Sequence, residues 1–164
     1  MGQLRRGVVA AMAAALGSGV IGPATAVADE ADSSKYVPLN SILRRCDHSD
    51  VHYVPSATAG TGYTIITNTG STVSAEVHVA GFAPDIWYGV RLVQTPRSGI
   101  GCGPGDPGVA MGRIYTDFAG VGTTTVQGPV MEGAEGAWVQ VEGPVGNSPL
   151  FSGDYRSSDY IATF

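Results

Sequence analysis

Glycine and proline interrupt this chain so often after residue 46 that no helix of more than about two turns fits between them. The densest interruption is Gly99 to Gly108, GIGCGPGDPG, which can be neither helix nor central strand. Between the breaks lie short runs rich in Val, Ile, Thr and Tyr. Their spacing predicts about eight strands, at 49–54, 61–67, 71–80, 86–95, 109–116, 121–128, 136–142 and 157–163. Strands at this spacing, with turn residues between them, make a sandwich or barrel.

Period-two alternation supports that assignment, because successive strand side chains point to opposite faces. Ala75, Val77 and Val79 share one face, with Glu76 and His78 on the other. Val90 and Leu92 point inward and Arg91 outward. Ala137, Val139 and Val141 share a face, leaving Trp138, Gln140 and Glu142 on a side expected to be solvated. Asn68-Thr69-Gly70 has the residues of a tight hairpin turn. A last strand that runs to Phe164 predicts a C-terminus docked in a sheet.

The first 28 residues read as an address. Arg5 and Arg6 precede an uncharged run, Gly7 to Val20, and small-x-small sites follow at Ala24–Ala26 and Ala26–Ala28. That is a secretory signal peptide, with cleavage after Ala28, and it stays outside the fold. Residues 29–45 then read as a polar N-terminal tail, and 46–164 as one domain. The chain has a net charge of −5, and loss of the signal removes two arginines and no acid. Such a surface excludes the phosphate neutralisation of a nucleic-acid binder. No run after the signal is long and apolar enough to span a membrane as a helix.

Cys46 and Cys102 are the only cysteines. In an exported chain they are expected to form one disulfide. Closing a loop of about 57 residues is worth about 4 kcal/mol at most in the chain-entropy model.

Residues 75–92 (AEVHVAGFAPDIWYGVRL) resemble a recurring piece of immunoglobulin-like and fibronectin-type-III-like sandwiches. There a strand ends in glycine, a proline-containing turn follows, and an aromatic opens the next strand. Gly81, Pro84 and Tyr88 occupy those places. The succession CGPGDPG, TDFAGVGTTTV, GAWVQV and SSDYIATF resembles a group of small exported proteins of mycobacteria and related actinobacteria, over roughly residues 46–164. One lysine against eight arginines fits a high-GC genome. The resemblance implies fold and export, and no activity. The expected fold is therefore all-β: an immunoglobulin-like sandwich of about seven or eight antiparallel strands, after a cleaved signal peptide.

Candidate sites are few. His48, Asp50 and His52 are spaced by two and would project from one strand face, with His78 available from another strand to complete a metal site. No HExxH or paired-cysteine motif accompanies them. GPGDPG matches GxGxxG only literally, because two prolines and a following strand deny it the helix that would hold a pyrophosphate. Asp106 in that loop offers a single carboxylate. Trp87 and Trp138, if they face outward, would with Asp106 form a recognition surface. No GxSxG or SxxK motif marks a nucleophile. The reading is an exported non-enzymatic binding or interaction module of the cell envelope or culture medium. It takes a protein or cell-envelope ligand and needs no cofactor, and the Gly99–Gly108 loop is its first candidate surface. A metal-binding protein and a small exported hydrolase are the alternatives.

Overall fold

A computed structural model describes residues 33–51, 59–143 and 154–164. The signal-peptide reading therefore lies outside the described residues, as does His52. Among the described residues there are nine antiparallel strands and no helix. They are β1 Ser33–Asn40, β2 Thr61–Asn68, β3 Thr72–Ala80, β4 Trp87–Thr95, β5 Val109–Tyr115, β6 Gly122–Pro129, β7 Gly136–Gly143, β8 Asp154–Ser158 and β9 Ala162–Thr163.

The pairing order is β5-β4-β7-β8-β1-β2-β3-β6, with β9 on β7. The strands β2-β3-β6 make one layer and β5-β4-β7-β8 the other, which is an immunoglobulin-like sandwich with Greek-key crossovers. Strand β1 joins the layers. It pairs with β2 from Ser33↔Asn68 to Leu39↔Gly62, and with β8 at Leu39↔Ser158 and Asn40↔Ser157. On the opposite side β5 lies against β6, and the sandwich is nearly a closed barrel. Gly112 allows that approach, since a Cβ there would sit 2.4 Å from Val126 Cγ2.

The alternation places the core as the sequence indicates. Ala75, Val77 and Val79 of β3 pack with Val90 and Leu92 of β4 and with Val139 and Val141 of β7, all buried. Burying each of these valines and Leu92 contributes about 1.5–3 kcal/mol. The Asn68–Gly70 turn forms, closed by Thr69 N–H donating to the Thr72 carbonyl and Gly70 N–H to Asn68 Oδ1. Gly81 adopts φ +73°, and Tyr88 is buried with its hydroxyl between Ala83 N–H and Asp154. The turn before β6 depends on Gly120, whose φ is +72° and where a Cβ would meet the Phe82 carbonyl oxygen at 2.2 Å.

Four expectations are corrected. Residues 33–40 are not a tail but the strand that joins the layers, with Val37 and Leu39 buried and Tyr36 and Pro38 outside. The sandwich thus begins before residue 46. Pro38 hid the strand, because proline lacks the N–H a ladder needs. Its carbonyl accepts from Asp159 N–H on the β8 side. The missing donor points the same way, where the β1–β8 ladder ends. Second, residues 49–51 belong to no strand; only an isolated bridge, Arg44↔Asp50, occurs there. Third, the last strand is divided into β8 and β9 by a bend at Asp159 and Tyr160. The C-terminus is docked nonetheless, with Gly136↔Thr163 and Ala137↔Ala162 paired and Phe164 N–H bonded to the Glu135 carbonyl. Fourth, the second face of β7 is buried, not solvated: Trp138 and Gln140 are covered.

Candidate ligand-binding groove

The cover over β7 is the cysteine loop. Cys46 and Cys102 are bonded, with Cα atoms 5.5 Å apart. They pack with Val93 and Trp138 into a second, smaller core, flanked by Val109 and Ile161. The Trp138 indole N–H points at the Cys46 carbonyl, 3.4 Å away. Immunoglobulin domains of the antibody type place a disulfide against a tryptophan between the sheets. Here the same pair of groups sits outside one sheet. Arg97 braces the loop by donating to the carbonyls of Gln94, Gly101 and Pro107. Asp106 Oδ2 accepts from Gly103 N–H at 2.7 Å, so its carboxylate serves its own turn.

This arrangement separates the sequence-derived site residues. Trp138 is wholly buried and cannot belong to a recognition surface. Trp87 is 52% exposed and rests on Tyr115, with ring centroids 5.1 Å apart. The Gly99–Gly108 loop is not a free display loop, because it folds back over β4 and β7; Ile100 is its exposed tip. His48 Nε2 donates to the Ser158 carbonyl at 2.9 Å, and its ring meets Trp138 edge-on at 5.3 Å. Burial pulls its pKa below the ordinary histidine value, opposed by the Ser158 bond. Asp50 is paired with Arg44. His78 lies on β3 of the other layer, far from this group in topology. No cluster of three or more metal-ligating side chains occurs among the described residues.

His78 belongs to a different constellation. Tyr63, His78 and Thr123 are directly opposed across β2, β3 and β6, and all face outward. Tyr36 of β1 pairs with Ile65, so it reaches Tyr63 on the diagonal. The Tyr36 and Tyr63 rings stack at 5.0 Å, and Tyr63 stacks on His78 at 4.5 Å with planes 14° apart. Cross-strand aromatic pairs of this kind contribute about 0.2–1 kcal/mol each. Tyr160 lies beyond β1 and donates from its hydroxyl to the Tyr36 carbonyl.

Hydrogen bonds fix the His78 ring. Nε2 lies 2.8 Å from Glu76 Oε1, and Nδ1 lies 3.1 Å from Thr123 Oγ1. An ionised carboxylate only accepts, so Nε2 carries the proton. With the ring neutral, Nδ1 then accepts from the Thr123 hydroxyl. Beside this row runs an open groove of about 420 Å³, lined by Tyr36, Thr61, Gly62, Tyr63, His78, Val79, Ala80, Val121, Gly122 and Thr123. Its size lies in the range of small-ligand sites.

The sequence grouped His78 with His48, Asp50 and His52, and gave no sign of its neighbours Tyr36, Tyr63 and Thr123. Tyr36 fell in the presumed tail, and Tyr63 is one aromatic in an ordinary strand. The outward position of Tyr63 was readable from alternation, but its partners follow from pairing register alone. Comparison of the chain with models of protein families, with curated proteins and with solved structures finds no match.

Proposed function

We propose that this chain is an exported, non-enzymatic binding module of the cell envelope or culture medium, and that the Tyr36–Tyr63–His78 groove receives its ligand. The observation that carries the reading is the stack itself. Three aromatic side chains stack in a row on an outer sheet face, beside a groove with hydroxyls and an imidazole held by hydrogen bonds. Aromatic rings are costly to leave beside water, and exposed ones commonly anchor recognition. The disulfide fits an oxidising compartment. The N-terminal 28 residues, and the resemblance to small exported actinobacterial proteins, point the same way.

A second reading is a small hydrolase, and one observation favours it. Thr123, His78 and Glu76 form a hydrogen-bonded line of hydroxyl, imidazole and carboxylate. Against it, Glu76 and Thr123 are solvent-exposed. The stack also immobilises His78 against Tyr63.

Two measurements test the function. A non-reducing mass spectrum of the chain recovered from its host's medium is expected to match residues 29–164 less two hydrogens. The full-length chain in the membrane fraction overturns export. Turnover of p-nitrophenyl acetate is expected to be no higher for the wild type than for Thr123→Ala. Turnover that Thr123→Ala abolishes overturns the binding reading in favour of the hydrolase.

A further inference from the structure

We infer that the ligand of the Tyr36–Tyr63–His78 groove is a neutral oligosaccharide; this rests on the groove being a binding site, as proposed above. Four observations converge on that class.

The first is charge. None of the ten residues lining the groove is Lys, Arg, Asp or Glu. Two carboxylates adjoin it, and both are engaged: Glu76 by His78, and Asp117 by the N–H groups of Ala119 and the lining Val121. Lys35 adjoins Tyr36 in sequence but pairs with Ile66, on the opposite face of the sheet. An anionic ligand would find no cation here and would face a chain of net charge −5. A cationic ligand would have to displace His78 from Glu76 or the backbone amides from Asp117.

The second is the backbone. The groove lies on a sheet face, over β2 and β3, which are laddered on both sides; the unpaired edges of β6 and of the first part of β1 flank that face. An extended peptide that binds by adding a strand needs an unpaired edge, and a sheet face offers none. Recognition must come from side chains.

The third is the pairing of surfaces. Ring faces and edges alternate with Thr61, Tyr63 and Thr123 hydroxyls and the His78 imidazole. A pyranose ring has the matching duality: a C–H face that packs on an aromatic, and a rim of hydroxyls that donate and accept. His78 and Thr123 already bond to each other, but a purely apolar ligand would leave the Thr61 and Tyr63 hydroxyls without partners, at the desolvation cost of each.

The fourth is extent. Tyr36 ends the stack, has one ring neighbour in it, and is 58% exposed. From β1 to β6 the row crosses three strand spacings, or about 14 Å. That length exceeds one sugar ring. The groove is open, so a chain can pass through it.

The test uses the purified, disulfide-intact chain and four neutral hexasaccharides: cellohexaose, maltohexaose, mannohexaose and chitohexaose. Hexagalacturonate serves as the acidic control, and a random decapeptide pool as the peptide control. Binding is read by calorimetry and by NMR shifts of tyrosine and histidine ring protons. At least one neutral hexasaccharide is expected to bind saturably and move the Tyr36, Tyr63 and His78 signals. Tyr36→Ala is expected to weaken it at least tenfold, because Tyr36 is exposed and its loss leaves the core intact. Trp87→Ala, on the other layer, is expected to leave it unchanged. His78→Gln keeps an amide in place of the imidazole and is expected to fall between the two. Three results overturn the saccharide assignment: none of the four binds, hexagalacturonate binds at least as tightly, or Trp87→Ala weakens binding while Tyr36→Ala does not. Peptides that shift the same ring signals while no saccharide does would overturn the ligand class and leave the groove as the binding site. Binding that moves none of those signals would remove the groove itself.

Discussion

The two outer faces of the sandwich begin from the same alternating pattern and end differently. On β7, Trp138, Gln140 and Glu142 point away from the main core, as Tyr63 does on β2 and Glu76 and His78 do on β3. The cysteine loop closes over the first set, and Trp138 becomes the centre of a second core. Nothing among the described residues closes over the second set in that way, and its rings stack on one another beside an open groove. The difference shows that alternation assigns a side chain to a face without saying what covers the face. A single crosslink between cysteines 56 positions apart decides that.

The sharpest way to break this comparison is to delete one ring from each face. Trp138→Ala is expected to cost about 3–5 kcal/mol, as for a large buried aromatic. Tyr63→Ala, on the open face, is expected to cost about 1 kcal/mol, since it loses two ring contacts and little burial. Urea unfolding followed by far-UV circular dichroism measures both, and equal losses would erase the distinction between the faces.

A somewhat smaller effect is expected from removing the cover's anchor. Cys46→Ala with Cys102→Ala is expected to destabilise the fold by about 2–4 kcal/mol. It should also red-shift Trp138 emission in the native state as water reaches the indole. The groove signals of Tyr63 and His78 are expected to stay where they are. Their movement would mean the faces are coupled through the core.

The smallest effect is electrostatic and confined to the covered side. His48 holds its proton less tightly when folded, chiefly because burial penalises the charged ring. Below its unfolded value of about 6.5 the unfolded chain binds a proton that the folded chain does not. Stability is therefore full above that pH and declines as pH falls through 6.5 towards the lowered folded value. His48 has φ +67°, so asparagine, which tolerates that conformation, is the replacement of choice. His48→Asn is expected to flatten the stability profile between pH 7 and pH 5. An unaltered slope would assign it to other groups.

Much of the fold was legible before any coordinate. Six of the strands, β2 to β7, the inward faces of β3, β4 and β7, and the Cys46–Cys102 pairing followed from alternation, turn residues and an even cysteine count. What escaped depends on contacts distant in sequence. SSKYVPLN has only two inward positions to alternate and carries a proline, so β1 lacks a local signal; its strand character comes from its partners on either side. Trp138 reads as surface until the loop that covers it is placed. The candidate site was hidden for the same reason. Tyr36, Tyr63, His78 and Thr123 lie on four strands, and no spacing within one strand brings them together.

Strand β1 carries a consequence for how the chain reaches its final form. It is the first strand in sequence, and its second ladder is with β8, near the last residue. Asn40 Nδ2 also bonds to Asp159 Oδ1 across 119 positions. Contacts that distant form slowly, because the intervening chain must first be ordered. A polypeptide threaded across a membrane N-terminus first, as the proposed export requires, therefore emerges with its leading strand half-paired. The layers are joined only after the trailing end has come through. On that proposal, the β1–β8 ladder forms only after residues 154–158 have crossed.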